Sequence, residues 1–386
     1  MLQIRHDHHV DECMVKTTPP ASLHFVGACV AAGMLTAGGA FAGCGGSSEN
    51  HGASADVGGG NPDGHCAVPT AAQAADVSHP TTVVGTGTAA SCTADAVAAA
   101  VHAGGVVTFA CGSAPVTIVV PEIDIFNDGG RGDGSVTLDG GDLITLSGGG
   151  ANRILYQNTC DQSLHYTTSH CQAQDAPHLI VQNMAFTGGR GDADPTRGIL
   201  GGGALYVGGG TFRAFGIRVT SSTQPTLGQD NAGGAIYTFE QTAPVYVVGS
   251  TFLGNSGSNG GALGSIGTSW MLLNSLFSGN SAVGRGENPA RAGTPGGGLG
   301  GAIYNDGNSY TLTLCGTALS SNTANELGSG AIFQVVDDLH GQLAIDQSAF
   351  TGNSDTGSVQ SHPGIYVEAA DKQGNAGVTI NDTTFD

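Results

Sequence analysis

One short phrase, repeated, constrains this chain more than anything else in it. From Leu200 onward a glycine pair, an alanine and an aliphatic residue recur together: Gly202-Gly203-Ala204-Leu205, Gly233-Gly234-Ala235-Ile236, Gly260-Gly261-Ala262-Leu263 and Gly300-Gly301-Ala302-Ile303. Ser329-Gly330-Ala331-Ile332 and Pro363-Gly364-Ile365 are degenerate copies. Successive copies lie roughly 30 residues apart, a solenoid period. A second phrase alternates with the first: Phe252-Leu253-Gly254-Asn255, Phe277-Ser278-Gly279-Asn280, Leu319-Ser320-Ser321-Asn322 and Phe350-Thr351-Gly352-Asn353. Between the two lie strand-like stretches such as Val245-Tyr246-Val247-Val248, Met271-Leu272-Leu273 and Leu312-Thr313-Leu314.

A unit of two or three short strands cannot bury its apolar face alone, so units of this kind coil and stack. Stacking is expected to set the aliphatic residues of the first phrase one above another inside the coil, with the phenylalanines in a second internal row. An Asn at a fixed place in each coil can bond the backbone of its neighbours and satisfy turn amides that lack other partners. The glycine pair permits a tight bend with a small cross-section.

The two phrases closely resemble the repeats of the polymorphic outer-membrane protein family over about residues 200–355. The resemblance implies a β-helix, the form of that family's passenger regions. Members normally continue into an outer-membrane barrel; this sequence reaches Asp386 within the repeat pattern, and a lipid anchor is the expected substitute. Residues of about 82–190 look like the opening rungs of pectate-lyase-like bacterial β-helices. Cys92 to His102 reads as a short helix with Thr93 as N-cap and Asp95 in the first turn, its apolar face plugging the open end of the coil. The fold expected for 81–386 is all-β: a right-handed parallel β-helix with a short N-terminal capping helix.

Composition agrees. Glycine supplies 66 of 386 residues without the every-third-residue period of collagen, charged residues are 11%, and lysine occurs only as Lys16 and Lys372. A net charge of −20 argues against nucleic acid or an anionic membrane surface as a partner.

Residues 1–44 read as a targeting segment: Lys16, an apolar stretch from Ser22 to Gly43, then Cys44. Phe41-Ala42-Gly43-Cys44 resembles the bacterial lipobox, with Phe41 in place of the usual Leu, which implies a lipid on Cys44 and an address at the outer membrane or cell surface. Gly45 rather than Asp after the cysteine fits passage to the outer membrane. Ala40-Phe41-Ala42 also suits ordinary signal peptidase, which would release a soluble extracellular protein, and a transmembrane anchor is a third reading. His6, Asp7, His8 and His9 suit a signal start poorly, which makes Met14 an alternative initiator. Residues 45–80 carry Gly, Ser, Ala and Asp with no apolar period and read as a flexible linker. After Cys44 six cysteines remain, an even number that suits disulfides in an exported chain. Cys92–Cys111 and Cys160–Cys171 are the expected pairs, leaving Cys66 and Cys315 by elimination. Zinc is the alternative, but no CxxC pair exists.

Catalytic signals are sparse. The paired Asp, Gly-His-Gly and Arg-x-Lys strings of β-helix enzymes that hydrolyse polygalacturonans do not occur together here, and Asp337-Asp338 reads as a solvated turn. Asp124, Asp128 and Asp133, with Asp139 and Asp142, crowd a Gly-rich stretch whose hard oxygens suit calcium, against the plainer reading of turn chemistry. Arg131-Gly132-Asp133 and Arg190-Gly191-Asp192 match the integrin tripeptide, but so short a match arises readily in Gly/Asp-rich loops. His165, His170 and His178 fit no zinc spacing and read as part of an ordered loop. Two insertions interrupt the coil: Gly188–Gly201, with Arg190, Asp192, Asp194 and Arg197, and Val283–Gly298, with Arg285, Glu287 and Arg291. Loops leaving a rigid scaffold are where binding concentrates. The function expected is a non-enzymatic surface lipoprotein for adhesion, glycan binding or envelope structure, contacting glycans or surface proteins. A lyase or glycoside hydrolase acting on acidic polysaccharide is the alternative.

Overall fold

Alternating strands that carry apolar residues inward, joined by corners rich in Gly and Asn, wind the chain into a right-handed parallel β-helix. The computed structural model describes residues 60–386 apart from 127–133, 166–169, 193, 195, 328, 338–339, 358–359 and 370–376. The targeting segment with Cys44, the start of the expected linker, Asp128, Asp133 and Asp338 lie outside the described residues.

Every strand pair is parallel, and the strands stack into sheets of ten, nine, eight and four strands. The ten-stranded sheet runs from Thr82–Val84 to Val378–Asn381 and the nine-stranded sheet from Val116–Val119 to Thr384–Phe385. The eight-stranded sheet runs from Ile123–Asp124 to Ile365–Ala369, and the short fourth sheet begins at Ser256–Gly257. Expected positions fall into register. Leu155, Leu205, Ile236, Leu263, Ile303, Ile332 and Ile365 form one file along the eight-stranded sheet, all buried in the core. Phe186, Val219, Phe252, Phe277, Leu319, Phe350 and Phe385 form another along the nine-stranded sheet. Within it Phe252 and Phe277 stack with ring centroids 4.8 Å apart. Each fully buried side chain of this size contributes roughly 1.5–3 kcal/mol.

The two glycines of each pair serve different needs. The first is left-handed at Gly202, Gly233, Gly260 and Gly300, with φ of 76°, 71°, 51° and 67°. The second has no room for a Cβ: at Gly261 it would collide with the backbone of Ser281 and Gly301. The corner is therefore as narrow as a backbone permits.

The asparagines form the expected ladder. Asn255 Oδ1 accepts from Ser222 N at 2.9 Å. Asn280 Oδ1 accepts from both N and Nδ2 of Asn255 at 3.0 Å, and Asn322 and Asn353 repeat the pattern. Each Nδ2 also reaches back to a carbonyl, as Asn280 does to Phe252 O at 3.0 Å. A second ladder, not anticipated from sequence, runs along the preceding corner. Ser250 Oγ accepts from Ile217 N, Ser275 Oγ from Ser250 N, and Ser348 Oγ from Thr317 N.

The helix Ala94–Ala103 closes the N-terminal end, with Thr93 Oγ1 accepting from Ala96 N at 3.2 Å and Val97, Ala100 and Val101 facing the core. All three disulfides are formed: Cys66–Cys315, Cys92–Cys111 and Cys160–Cys171.

The linker expectation needs correcting for 60–80. This segment is a strap laid along the outer face of the ten-stranded sheet, running from late rungs back to the first. Asn61 Nδ2 donates to Gln347 O at 2.7 Å, Cys66 and Asn274 exchange two hydrogen bonds of 2.9 Å, and Gln182 and Ala75 exchange two more. The physical reason lies in the sheet beneath. Val248 and Leu273 point outward with Phe215, Tyr246 and Met271, and this apolar stripe is covered by Val68 and the fully buried Ala72. So few apolar residues in an extended chain leave no period to detect.

Two outcomes are expected. Asn280→Ala strands two donors of Asn255 and a carbonyl of Phe252, and should cost on the order of 3 kcal/mol in urea unfolding. Replacing Cys66 and Cys315 together by Ala should leave the coil's circular dichroism intact while amide exchange accelerates selectively in 60–75. Uniform acceleration would show instead that the strap and the coil unfold as one.

Candidate functional site

Loops of unequal length all leave the coil between the fourth sheet and the glycine corners, and they fold over the outer face of the eight-stranded sheet. The residues that follow the inward aliphatic file point outward on this face: Tyr156, Tyr206, Tyr237, Gly264, Tyr304, Phe333 and Tyr366, in register. Tyr206 and Tyr237 stack 5.7 Å apart, and Tyr304 and Phe333 5.4 Å apart. Ile199 and Leu200 from the first long insertion, and Leu299 at the end of the second, pack on the cluster. The return of each insertion to the coil thus lays aliphatic side chains on an aromatic column.

Two charged groups sit at the margins of that column. In the first, Arg153 is almost fully buried, with Nη1 2.6 Å from Glu122 Oε2 and Nε donating to Gly202 O at 2.8 Å. Arg197 stacks on the Tyr156 ring at 4.9 Å and lies 3.3 Å from Glu122, 3.6 Å from Asp161 and 3.8 Å from Asp124. Burial raises the Asp124 carboxyl above the usual carboxylate range despite Arg197. Burial acts the same way on Asp161, but hydrogen bonds from Ser163 and Tyr156, with Arg197 beside it, outweigh it and hold that carboxyl low. A glycosidase needs two carboxyls flanking an open space for the scissile bond. Here the Arg197 guanidinium stands among Glu122, Asp124 and Asp161.

In the second group, Asn288 from the later insertion reaches Asp230, Asp306 and the Tyr304 hydroxyl, and Tyr304 donates to Asp306 Oδ2 at 2.7 Å. Burial, with the nearby charges of Asp337, Asp230 and Glu368, pushes the Asp306 carboxyl up to about 6, although the Tyr304 hydroxyl opposes the shift.

The loop residues singled out from sequence divide by role. Arg197 and Arg291 are engaged internally, Arg291 with Glu287 at 2.5 Å and Glu326 at 2.7 Å. Asp194 caps its own turn by accepting from Thr196 N at 2.8 Å. Arg190 pairs with Asp192 at 3.6 Å on the surface. Arg285 is exposed and lines an open groove with Val283, Asn325, Glu326 and Thr356. Of the calcium candidates that are described, Asp124 faces Arg197, Asp139 accepts from Gln182 Nε2 at 2.7 Å and Asn183 Nδ2 at 2.9 Å, and Asp142 is exposed in a turn. Asp337 is exposed beside Gly307, as expected of a turn. His165 packs edge-on against Phe126, whereas His178 bonds Thr211. Among the described residues the one triplet of His, Cys, Asp or Glu atoms close enough for a single ion is Cys66, Cys315 and Asp346, whose thiols are consumed in the disulfide. Sequence reading missed Glu122, Arg153, Asp161, Asp230, Asn288 and Asp306. The recurring Tyr at the second strand position was the available signal for the column on which they converge.

In comparisons with known proteins, no family model, curated protein or solved structure matches this chain.

Arg153→Met leaves Glu122 without its closest partner and removes donors from the carbonyls of Gly201 and Gly202. It should cost on the order of 3 kcal/mol in chemical unfolding. Pairing it with Glu122→Gln should recover part of that loss, and additive effects would show the two side chains to be energetically independent.

Proposed function

We propose that this protein is an exported, non-enzymatic surface lipoprotein, held by a lipid on Cys44, whose loop-bearing β-helix face binds glycans or a surface protein. The observation that carries this reading is the state of that face. Its buried arginine Arg153 and its half-buried Arg197 are engaged with carboxylates, and Arg197 occupies the space among Glu122, Asp124 and Asp161 that a substrate would need. Outward-facing chemistry is left to exposed loop groups, above all Arg190 and Arg285. Three disulfides accord with an oxidising compartment and so with export.

One observation favours the alternative of an enzyme acting on acidic polysaccharide. Glu122, Asp124, Asp161, Arg197 and Tyr156 bring acid, cation and ring together at one place. If Arg197 swung away toward an acidic sugar, a carboxyl pair would be uncovered.

A glycan array with a parallel screen for unsaturated or reducing sugar products, run with calcium and with chelator, separates the two. Binding without product is expected, weakened several-fold by joint replacement of Arg190 and Arg285 with Ala. Product formation abolished by Asp161→Asn would overturn the non-enzymatic reading. Cys44→Ser should move the protein from the membrane to the soluble fraction, whereas continued retention would count against the lipid.

A further inference from the structure

Cations are scarce in this chain, where 11 Lys and Arg stand against 31 Asp and Glu, and most of the described arginines are engaged. Arg153, Arg190, Arg197 and Arg291 pair with carboxylates, and Arg213 donates to the Ala71 carbonyl at 2.8 Å. Arg285 is different. It is exposed, and its guanidinium has no ion-pair or hydrogen-bond partner among the described residues. Arg218 is equally free, but it stands on a strand of the nine-stranded sheet, whereas Arg285 lines the open groove with Val283, Asn325, Glu326 and Thr356. The acid in that groove is turned away from it. Glu326 Oε1 accepts from Gly286 N at 2.9 Å and Arg291 Nη2 at 2.7 Å, and Oε2 accepts from Arg291 Nη1 at 3.1 Å. The Arg291 fork thus holds both oxygens, and Arg285 is left with its donors open.

The groove around it is fixed and polar. Arg285 N donates to Gly296 O at 3.2 Å and Gly296 N returns the bond to Arg285 O at 2.9 Å, while Gly284 N donates to Ser258 O at 3.0 Å. A cation carried on backbone already held in place loses less freedom when it binds. Asn325 gives its Nδ2 to Gly284 O at 3.1 Å, which leaves its Oδ1 to accept. Thr356 donates its hydroxyl to Asn325 O, which leaves the lone pairs of that hydroxyl to accept. Val283, 40% exposed, supplies an apolar wall. The groove has a volume of about 540 Å³, a size suited to a small ligand. A planar fork of donors matches a carboxylate with two parallel hydrogen bonds. Acceptors beside it suit hydroxyls, and the apolar wall suits the C–H face of a sugar ring. Charge narrows the class further. A net charge of −20 repels a polyanion at long range, and the groove holds one open cation beside a carboxylate.

We propose that the groove of Val283, Arg285, Asn325 and Thr356 is a glycan subsite that selects a single carboxylated sugar, uronic or sialic, on an otherwise neutral glycan. Arg285 binds the carboxylate, Asn325 Oδ1 and the Thr356 hydroxyl take ring hydroxyls, and Val283 meets the ring face. The subsite rests on the glycan-binding reading above and gives it a place and a charge.

Titration calorimetry of the purified full-length chain tests this with four probes and a glycan array. The probes are a neutral trisaccharide capped by one glucuronate, the same trisaccharide capped by one sialate, and the methyl ester of each. At least one acid probe is expected to bind, and its ester should bind roughly tenfold more weakly or worse. Arg285→Met should cause a similar loss with the acid probe and little further loss with the ester, the mark of a direct pair. Arg285→Lys keeps the charge without the fork and should recover part of the affinity. Arg218→Met should leave binding unchanged, and polygalacturonate should bind no more tightly per sugar than the capped probe. Thermal unfolding checks that each variant is folded. Equal binding of acid and ester, or parental affinity in Arg285→Met, would overturn the proposal. So would no binding of either acid probe while other glycans on the array are bound, and in that case the glycan reading survives. Silence across the whole array would take the glycan reading with it. Cleavage of a probe whose binding still depends on Arg285 would overturn the non-enzymatic reading and leave the subsite standing.

Discussion

Within its sheets each coil of this molecule pairs with the coil before it and the coil after it, in a register that carries from coil to coil. That one constraint organises everything else. A side chain placed inward in one coil meets its own counterpart in the next, so the sequence must repeat residue types rather than merely alternate them. The aliphatic file and the phenylalanine file are the direct result. Corners are bound by the same rule. An Asn or Ser whose side chain replaces a missing backbone partner is useful only if the coil above offers the same group, so ladders run through whole corners.

Much of the architecture was therefore legible in the sequence. The glycine-pair and Phe-Asn phrases mark positions where only one residue type fits: Gly202 for a left-handed backbone, Gly261 for lack of space, Asn280 for two donors and an acceptor at one point. Helix capping by Thr93 and the disulfides Cys92–Cys111 and Cys160–Cys171 were readable from local spacing, whereas Cys66–Cys315 followed only by elimination. The strap was not. Ala72 and Val68 are ordered by an apolar stripe that lies far along the chain, and that stripe had its own mark: strands such as Val245-Tyr246-Val247-Val248 are apolar on both faces.

The loop face was the least legible part. Its position could be inferred from the two insertions, but not the partners of its charges. Arg197 meets Glu122, Asp124 and Asp161 because coils far apart in sequence are adjacent in space, and Asn288 reaches Asp230 for the same reason. Repeats reveal which positions stack. Insertions, being unique to their coil, carry no such internal echo. In this chain the repeated parts build the scaffold, and the unrepeated parts hold what is chemically particular.

The strap has a mechanical consequence. Tension on a coil loaded at its terminal turn would peel it one turn at a time, breaking few hydrogen bonds at any moment. Here a pull on the chain ahead of Cys66 is delivered through a covalent bond to Cys315, on the eighth of ten strands. The load bypasses the early turns, including the one closed by the helix. A molecule tethered by its N-terminus and dragged by flowing liquid would thus be gripped deep within its stack rather than at its loose end.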